Sequence, residues 1–511
     1  MQASKYEKRK TILLKMAVLN KQYVLENGLV PSNTCDLPER VLQFGTGVLL
    51  RGLPDYLIDK ANRQGIFNGR IVVVKSTDGG DSTAFDQQDG LYTLGIRGFE
   101  NGDLIEQNIV CSAISRVLSA KSQWADILNY ASNPDLQIVI SNTTEVGIQL
   151  VQDDVKQSPP VSFPGKLLAF LYERFKVFNG DKTKGLVIVP TELITDNGKK
   201  LEHILLELAH LNALETPFID WLENHNTICN SLVDRIVPGK PDATIKTQMD
   251  AELRYDDSLI TMSESYLLWA IKGDEKVKSV LSFHQVHEGV IIEPNIDLYT
   301  ELKLRLLNGT HTLSCGLAFL SGFSLVKEAM KSEVMEAYIS RLMLSELAVG
   351  IPYQMDAEVA ENFGKQVLDR FRNPYLEHRW LSITMNYTSK MAMRNIPTLL
   401  HFYKTQKTVP NHFALGFAAY LLFMKAVKVE NGVYYGHSNG SDYAIQDDKA
   451  PYFYDVWQRF SVEELVSAVL KNQNFWHTDL SLLEGFKNAV AGYLNNMLNI
   501  GVFETLNKTL K

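Results

Sequence analysis

Four short apolar runs punctuate the first part of the chain: Arg40-Val-Leu-Gln-Phe44, Arg70-Ile-Val-Val-Val74, Leu136-Gln-Ile-Val-Ile140 and Gly185-Leu-Val-Ile-Val189. Runs of this length, rich in β-branched residues, suit strands buried on both faces, as in a parallel sheet covered by helices. Each ends in small or polar residues and gives way to a helical pattern. The first part therefore predicts a doubly wound, Rossmann-like α/β domain. Val290-Ile-Ile-Glu-Pro294 reads as its last strand. After residue 298 the pattern changes to long amphipathic stretches at 313–347, 357–370, 413–427 and 462–470, separated by loops holding Pro352, Pro374, Pro397 and Pro410. The polar, glycine-containing stretch 430–448 reads as a loop. The expected organisation is an N-terminal extension (1–38), a dinucleotide-binding domain (39–298) and a mostly α-helical substrate and catalytic domain (299–511).

Composition narrows the functional classes. At 511 residues the chain exceeds what one hydrophobic core usually supports. A net charge of -8 argues against a nucleic-acid binder, which would carry a basic face. Cys35, Cys111, Cys229 and Cys315 are widely spaced, with no C-x-x-C pair, so neither a zinc site nor a disulfide framework is expected. No apolar run is long enough to cross a bilayer. Residues 1–15 mix Lys5, Lys8, Arg9, Lys10 and Lys15 with the short apolar run Thr11-Ile-Leu-Leu14, which is not a signal-peptide pattern; Met16 follows at once and offers an alternative start. The chain reads as cytoplasmic, without a membrane or nucleic-acid partner. Its oligomeric state is not legible.

Chemistry concentrates at two places. Lys303, Asn308 and His311 stand in the run Glu301-Leu-Lys-Leu-Arg-Leu-Leu-Asn-Gly-Thr-His311. On an α-helix Asn308 lies about 140° and His311 about 80° round from Lys303, so the polar tips can converge on one substrate oxygen while leucines pack behind them. A lysine desolvated among leucines would be tuned toward acid/base work. The same spacing also fits a surface lysine, a helix-ending Asn-Gly and a core histidine. The second place is Gly45-Thr-Gly47, straight after the first predicted strand Val41-Leu-Gln-Phe44 and before a helical pattern. This is where backbone N–H groups meet a pyrophosphate. The third glycine is displaced to Gly52. The second strand runs into Lys75 and then Asp78: Lys75 suits the 2′-phosphate of NADP, Asp78 the ribose of NAD, and both stay open. Ser141-Asn142-Thr143-Thr-Glu145 follows another buried strand and would reach the same sheet edge, as a cofactor loop, a helix cap or both.

Taken in order, six segments resemble the long-chain mannitol dehydrogenase family of polyol-specific oxidoreductases. They are Val41-Leu-Gln-Phe-Gly-Thr-Gly47, Gln88-Asp-Gly-Leu-Tyr-Thr93, Ser141-Asn-Thr-Thr-Glu-Val-Gly147, Leu232-Val-Asp-Arg-Ile-Val237, the run from Lys303 to His311, and Arg370-Phe-Arg-Asn-Pro-Tyr375. The third and last look like its hexuronate-reducing branch. The resemblance implies metal-independent hydride transfer between NAD (NADP not excluded) and a secondary alcohol or ketone, here of a small keto sugar acid. It makes Lys303 the acid/base, Asn308 an oxyanion-type donor and His311 a substrate-orienting group. Asp234 and Lys390 match substrate-contacting positions, although Asp234 also fits a structural pair with Arg235. Two positions depart from the polyol-oxidising members: Leu193 stands where they carry an asparagine, and Ser382 where they carry a substrate-binding arginine. A hexuronate carboxylate needs a cation, and Arg394, or else Arg372, is the candidate. Another hexuronate reductase or polyol dehydrogenase of the same family is the neighbouring alternative, and a dinucleotide-binding sensor without catalysis the remote one.

Overall fold

The computed structural model describes residues 16–76, 82–143 and 146–510; Asp78, Glu145 and the basic leader 1–15 lie outside them. The chain forms two compact units, one of Met1–Ile96 and Glu106–Pro294, the other of Arg97–Ile105 and Asn295–Lys511.

The first unit is built on six strands: β1 (Glu39–Phe44), β2 (Arg70–Lys75), β3 (Ile114–Ser119), β4 (Ile138–Ser141), β5 (Val187–Pro190) and β6 (Thr227–Ile228). Their order is β3-β2-β1-β4-β5-β6, and every neighbouring pair is parallel. That is the Rossmann order, in which the chain reverses direction across the sheet between β1 and β4. Leu42, Phe44, Val72, Val74, Val139 and Ile188 bury against Leu167, Leu168 and Leu171 of the helix Phe163–Val177. The four apolar runs all became strands of this sheet. β3 was not among them, because Ile114-Ser-Arg-Val-Leu-Ser119 lies at the sheet edge and interleaves polar with apolar residues, so no continuous run marks it. Val290–Glu293 is a strand of a separate sheet, parallel to Leu268–Lys272, which in turn pairs antiparallel with Ser231–Asp234.

One expectation at the edge of this domain needs correction. The segment taken as an extension contributes to the core: Leu19, Val24, Val30 and Cys35 bury with Leu91, Val110 and Tyr255, and Ala17–Val18 pairs with Tyr255–Asp256. Two helices follow the Gly45–Gly47 loop, α1 (Val48–Gly52) and α2 (Pro54–Arg63). Pro54 supplies no N–H and pushes the residue before it out of the helical region, and Leu53 sits at φ -131°, ψ -86°.

The second unit is mostly helical. Its elements begin with α3 (Asp297–Leu302), a π-helical turn over Lys303–Gly309 and α4 (Thr310–Leu320). They continue through α5 (Ala357–Arg372), α6 (Tyr387–Arg394), α7 (Ile396–Gln406) and α8 (Asn411–Phe423). The stretch 313–347 is not one helix. It breaks at Gly322, with φ +96°, and ends in a second π segment, Leu342–Leu347. The expected loop 430–448 holds an antiparallel sheet of Lys428–Glu430, Val433–Ser438 and Ser441–Ala444. Its two turns are Asn431-Gly432 (φ 50° and 78°) and Asn439-Gly440 (φ 51° and 76°). Positive φ at both central residues gives the turn twist that closes two-residue hairpins, and Asn-Gly is the dipeptide that adopts it most readily. No helix among the described residues is long and apolar enough to cross a membrane.

Candidate active site

Parallel pairing of β1 with β4 brings the loops after both strands out side by side at the carboxyl edge of the sheet. Gly45 has φ +125°, and a Cβ there would lie 2.8 Å from the Asn142 carbonyl oxygen and 2.9 Å from Leu50. Only glycine lets the first loop press against the second. Gly47 is the N-cap of α1, and a Cβ built on it would meet nothing within 4 Å. The space beside Gly47 at the start of α1 is therefore unfilled, which leaves room for a dinucleotide pyrophosphate. Gly52 takes the close-packing role of a third glycine, since a Cβ there would sit 2.8 Å from Val237. Thr46 is half-buried in the loop, and Lys75 half-buried at the end of β2. Phe44 takes part through its backbone: its carbonyl accepts from Asn142 N–H, while its ring is wholly buried against Phe163.

The second loop is held by a residue to which sequence reasoning gave no role. Glu192 is buried, and its carboxylate accepts from the Ser141 hydroxyl (3.1 Å), the Thr143 N–H (2.9 Å) and the Thr143 hydroxyl (3.0 Å). The Asn142 amide donates to the Thr191 carbonyl (3.1 Å) and hydroxyl (3.0 Å). An acid placed just after β5 thus fixes the loop after β4. Only the pairing of the two strands makes them neighbours. Leu193, beside it, is 63% exposed. Asp234 is buried at the end of its strand. Arg235 turns to the Gly52 and Glu264 carbonyls and lies 5.0 Å from the Tyr56 ring centroid.

In the second unit Lys303, Asn308 and His311 do not share an α-helix as the spacing argument supposed. Lys303–Gly309 is π-helical, and Thr310–Leu320 resumes the α form. In i→i+5 winding, residues five apart stack along one face, as residues four apart do in an α-helix. Lys303 and Asn308 are brought closer in angle than the α-helical count gives. Both are half-buried, whereas His311 is 8% exposed. The His311 ring stacks on Phe371 (4.2 Å between centroids) and meets His378 edge-on at 4.9 Å. Its Nε2 is buried without a protein partner. Burial holds its pKa well below the usual histidine value, helped by the positive charge of His378, Arg370, Arg394 and Lys390. The ring is neutral and free to hydrogen-bond a substrate oxygen.

Lys390 and Arg394 lie one turn apart on α6. The Lys390 ammonium donates to the Ile383 carbonyl (3.0 Å) and Arg394 to the Thr312 hydroxyl (3.1 Å), while the buried Arg394 Nε has no partner. The pKa of Lys390 is lowered by burial and by Arg394, and that of Arg394 by burial. Among the described residues no carboxylate offsets either charge. Arg372 is different. Its half-exposed guanidinium is engaged by Glu336 (2.5 Å) and Asp369 (3.3 Å), so the structure sets it apart from the cationic group around His311. Ser382 is exposed. Among the described residues no group of three or more His, Cys, Asp or Glu is placed to hold a metal ion.

Residues 39–283 match the family model of the mannitol dehydrogenase Rossmann domain, and residues 295–498 that of the mannitol dehydrogenase C-terminal domain. The chain belongs to the mannitol dehydrogenase family. It is an oxidoreductase of CH–OH groups that works with a dinucleotide. The altronate oxidoreductase of Bacillus subtilis (strain 168) is 36% identical over 92% of this chain and 95% of its own length. That of Escherichia coli O7:K1 (strain IAI39 / ExPEC) is 34% identical over 92% and 96%. Among solved structures, Pseudomonas fluorescens mannitol 2-dehydrogenase, in a ternary complex with NAD and D-mannitol, superposes with a TM-score of 0.63 at 21% identity, covering 96% of this chain and 99% of that one. A D-sorbitol dehydrogenase in substrate-free form gives 0.70 at 19%, covering 96% and 100%. At such identities these two speak for the fold.

Proposed function

We propose that this mannitol dehydrogenase family member is an altronate oxidoreductase, reducing D-tagaturonate to D-altronate with NADH and running in reverse with NAD. The observation that carries the reading is the Lys390–Arg394 pair. Two cations that no carboxylate among the described residues offsets, next to the acid/base motif, suit a substrate that brings its own negative charge. A neutral polyol would leave that charge unanswered. The relatives named altronate oxidoreductase, similar over most of both chains, support the same substrate.

The nicotinamide supplies or takes the hydride. In the reducing direction Lys303 gives a proton from Nζ to the ketone oxygen. The Asn308 amide donates to the same oxygen as negative charge grows on it, and such oriented donors act most strongly where water is excluded. Neutral His311 offers Nε2 to an adjacent hydroxyl, and Arg394 with Lys390 anchors the carboxylate. Gly45, Thr46, Gly47, Asn142 and Thr143 hold the dinucleotide by backbone and loop contacts. NAD is the expected dinucleotide, and Lys75 at the end of β2 would also tolerate a 2′-phosphate. The protein works on a small keto sugar acid in hexuronate breakdown and needs no nucleic-acid or membrane partner.

The test is NADH oxidation with tagaturonate, fructuronate and fructose side by side. Tagaturonate should lead by a wide kcat/KM margin; a lead for fructuronate would reassign the enzyme as a fructuronate reductase, and fructose first would remove the hexuronate reading. NADH binding without turnover on any of them would indicate a sensor. Lys303→Ala should cut kcat by about 100-fold or more while NADH binding holds, with partial rescue by added primary amines. Near-normal turnover at neutral pH would remove Lys303 from the acid/base role.

A further inference from the structure

The π turn that carries Lys303 and Asn308 is tied to the end of α6, which carries Lys390 and Arg394, by three separate hydrogen-bonded links. The side-chain amide of Asn395, the residue immediately after α6, donates to the Gly309 carbonyl at 3.0 Å. The guanidinium of Arg305, inside the π turn, donates from one nitrogen to the Met393 carbonyl (2.6 Å) and the Arg394 carbonyl (2.9 Å), while Glu301 holds its other side at 2.9 Å. Arg394 donates to the Thr312 hydroxyl (3.1 Å), which donates to the Asn308 carbonyl (2.8 Å). Asn395 is 1% exposed and Arg305 7%.

These links answer a specific structural need. A π turn leaves its backbone less tightly bonded than an α-helix, which is why such turns are short and rare. The carbonyls of Asn308 and Gly309 here both receive side-chain donors. The far end is equally exposed to slippage: α6 stops at Arg394, so its last carbonyls have no helical partner, and Arg305 takes two of them. Gly309 permits the approach. A Cβ on it would lie 3.1 Å from the Asn395 Nδ2, closer than a methyl group tolerates without displacing the amide.

We propose that Asn395 and Arg305 are positioning residues, which lock the π turn of Lys303 and Asn308 to the substrate-anion residues of α6 as one rigid piece. This rests on the acid/base and anion-binding roles assigned above. Neither residue touches the reacting atoms. They set where the proton donor stands relative to a substrate held by its carboxylate, and a misplacement of about 1 Å at that point can cost on the order of 100-fold in rate.

Two variants test it. Asn395→Ala removes one link, and Arg305→Lys keeps the charge beside Glu301 while losing the two-carbonyl fork. The first readout needs no activity: amide hydrogen exchange across 303–312, measured by mass spectrometry. Exchange there should speed up at least about 10-fold in both variants, with the six-stranded sheet of the first unit unchanged. The second readout is kinetic. kcat for the keto acid should fall about 10-fold or more, NADH affinity by fluorescence should hold, and the solvent deuterium isotope effect on kcat should rise as proton transfer becomes limiting. Unchanged exchange across 303–312 overturns the proposal. So does a kcat loss that merely follows the folded fraction with the isotope effect unmoved. If Asn395→Ala does not fold, Arg305→Lys decides alone. A wild-type protein inactive on keto acids would sink the functional reading, and the exchange experiment would still judge the lock.

Discussion

Burial raises the cost of the charge on both Lys390 and Arg394, and for Lys390 the nearby Arg394 adds to it. A protein keeps such a pair when a ligand supplies the compensating charge. The hydrogen bonds around them are made to neutral acceptors, Ile383 and Thr312, which leaves the Arg394 Nε available. A charge-assisted contact of this kind is worth about 1.5–3 kcal/mol. Arg394→Ala should therefore raise KM for the keto acid by roughly 10- to 100-fold with NADH affinity unchanged. Arg372→Ala should do little, because Glu336 and Asp369 already occupy that guanidinium. Steady-state kinetics on the two variants separates the candidates; equal effects, or the reverse order, would move the carboxylate site away from Arg394.

At the level of elements, the loop after β1 makes two glycines do different work. At Gly45 a side chain would strike the Asn142 backbone, whereas at Gly47 it would enter open space. Gly45→Ala should lower both thermal stability and NADH affinity. Gly47→Ala should lower NADH affinity by about 10-fold or more and leave the melting temperature of the free protein alone, since only the dinucleotide would meet the added methyl. Differential scanning fluorimetry with fluorescence titration tells them apart, and a Gly47→Ala protein that binds NADH normally would remove the pyrophosphate from that space. The elements also show why the sequence was partly legible. Strands buried on both faces announce themselves as apolar runs, so β1, β2, β4 and β5 were readable. Edge strand β3 mixes polar with apolar residues and was not. The Asn431-Gly432 and Asn439-Gly440 hairpins carried a readable turn signal that the surrounding polarity obscured. The π turn had no such signal, because Leu304, Leu306 and Leu307 are compatible with either winding. Glu192 was out of reach for another reason: nothing local links it to Ser141 and Thr143, which become its neighbours only through the pairing of β4 with β5.

Across the whole molecule, stability should carry the imprint of one carboxyl in the first unit. Asp55, in the first turn of α2, is fully buried, and burial pushes its pKa up to about 8 against the hydrogen bond from Gln43 (3.3 Å) and the charge of Arg51. Its Oδ1 and the Gln43 Oε1 both lack partners. Protonation of Oδ1 would bring a donor to a place where the Gln43 Oε1 has none. The folded pKa is raised above the unfolded value of 3.8. The contribution is therefore fully present below pH ~4 and is lost as pH rises toward 8, at a slope approaching about 1.4 kcal/mol per pH unit for one proton. His311 works in the opposite sense. Its pKa is lowered in the fold, so its contribution is present above the ordinary histidine range and lost as pH falls through it. Asp55→Asn isolates the first effect, because an amide has nothing to titrate and still offers a donor. Melting temperatures of wild type and variant, taken at steps from pH 5 to pH 8.5, should diverge in the variant's favour as pH rises and run parallel above about 8. Curves that stay parallel across the whole range would mean that Asp55 ionises in the folded protein as it does in the unfolded chain, and that the cluster around Gln43 is stabilised in some other way.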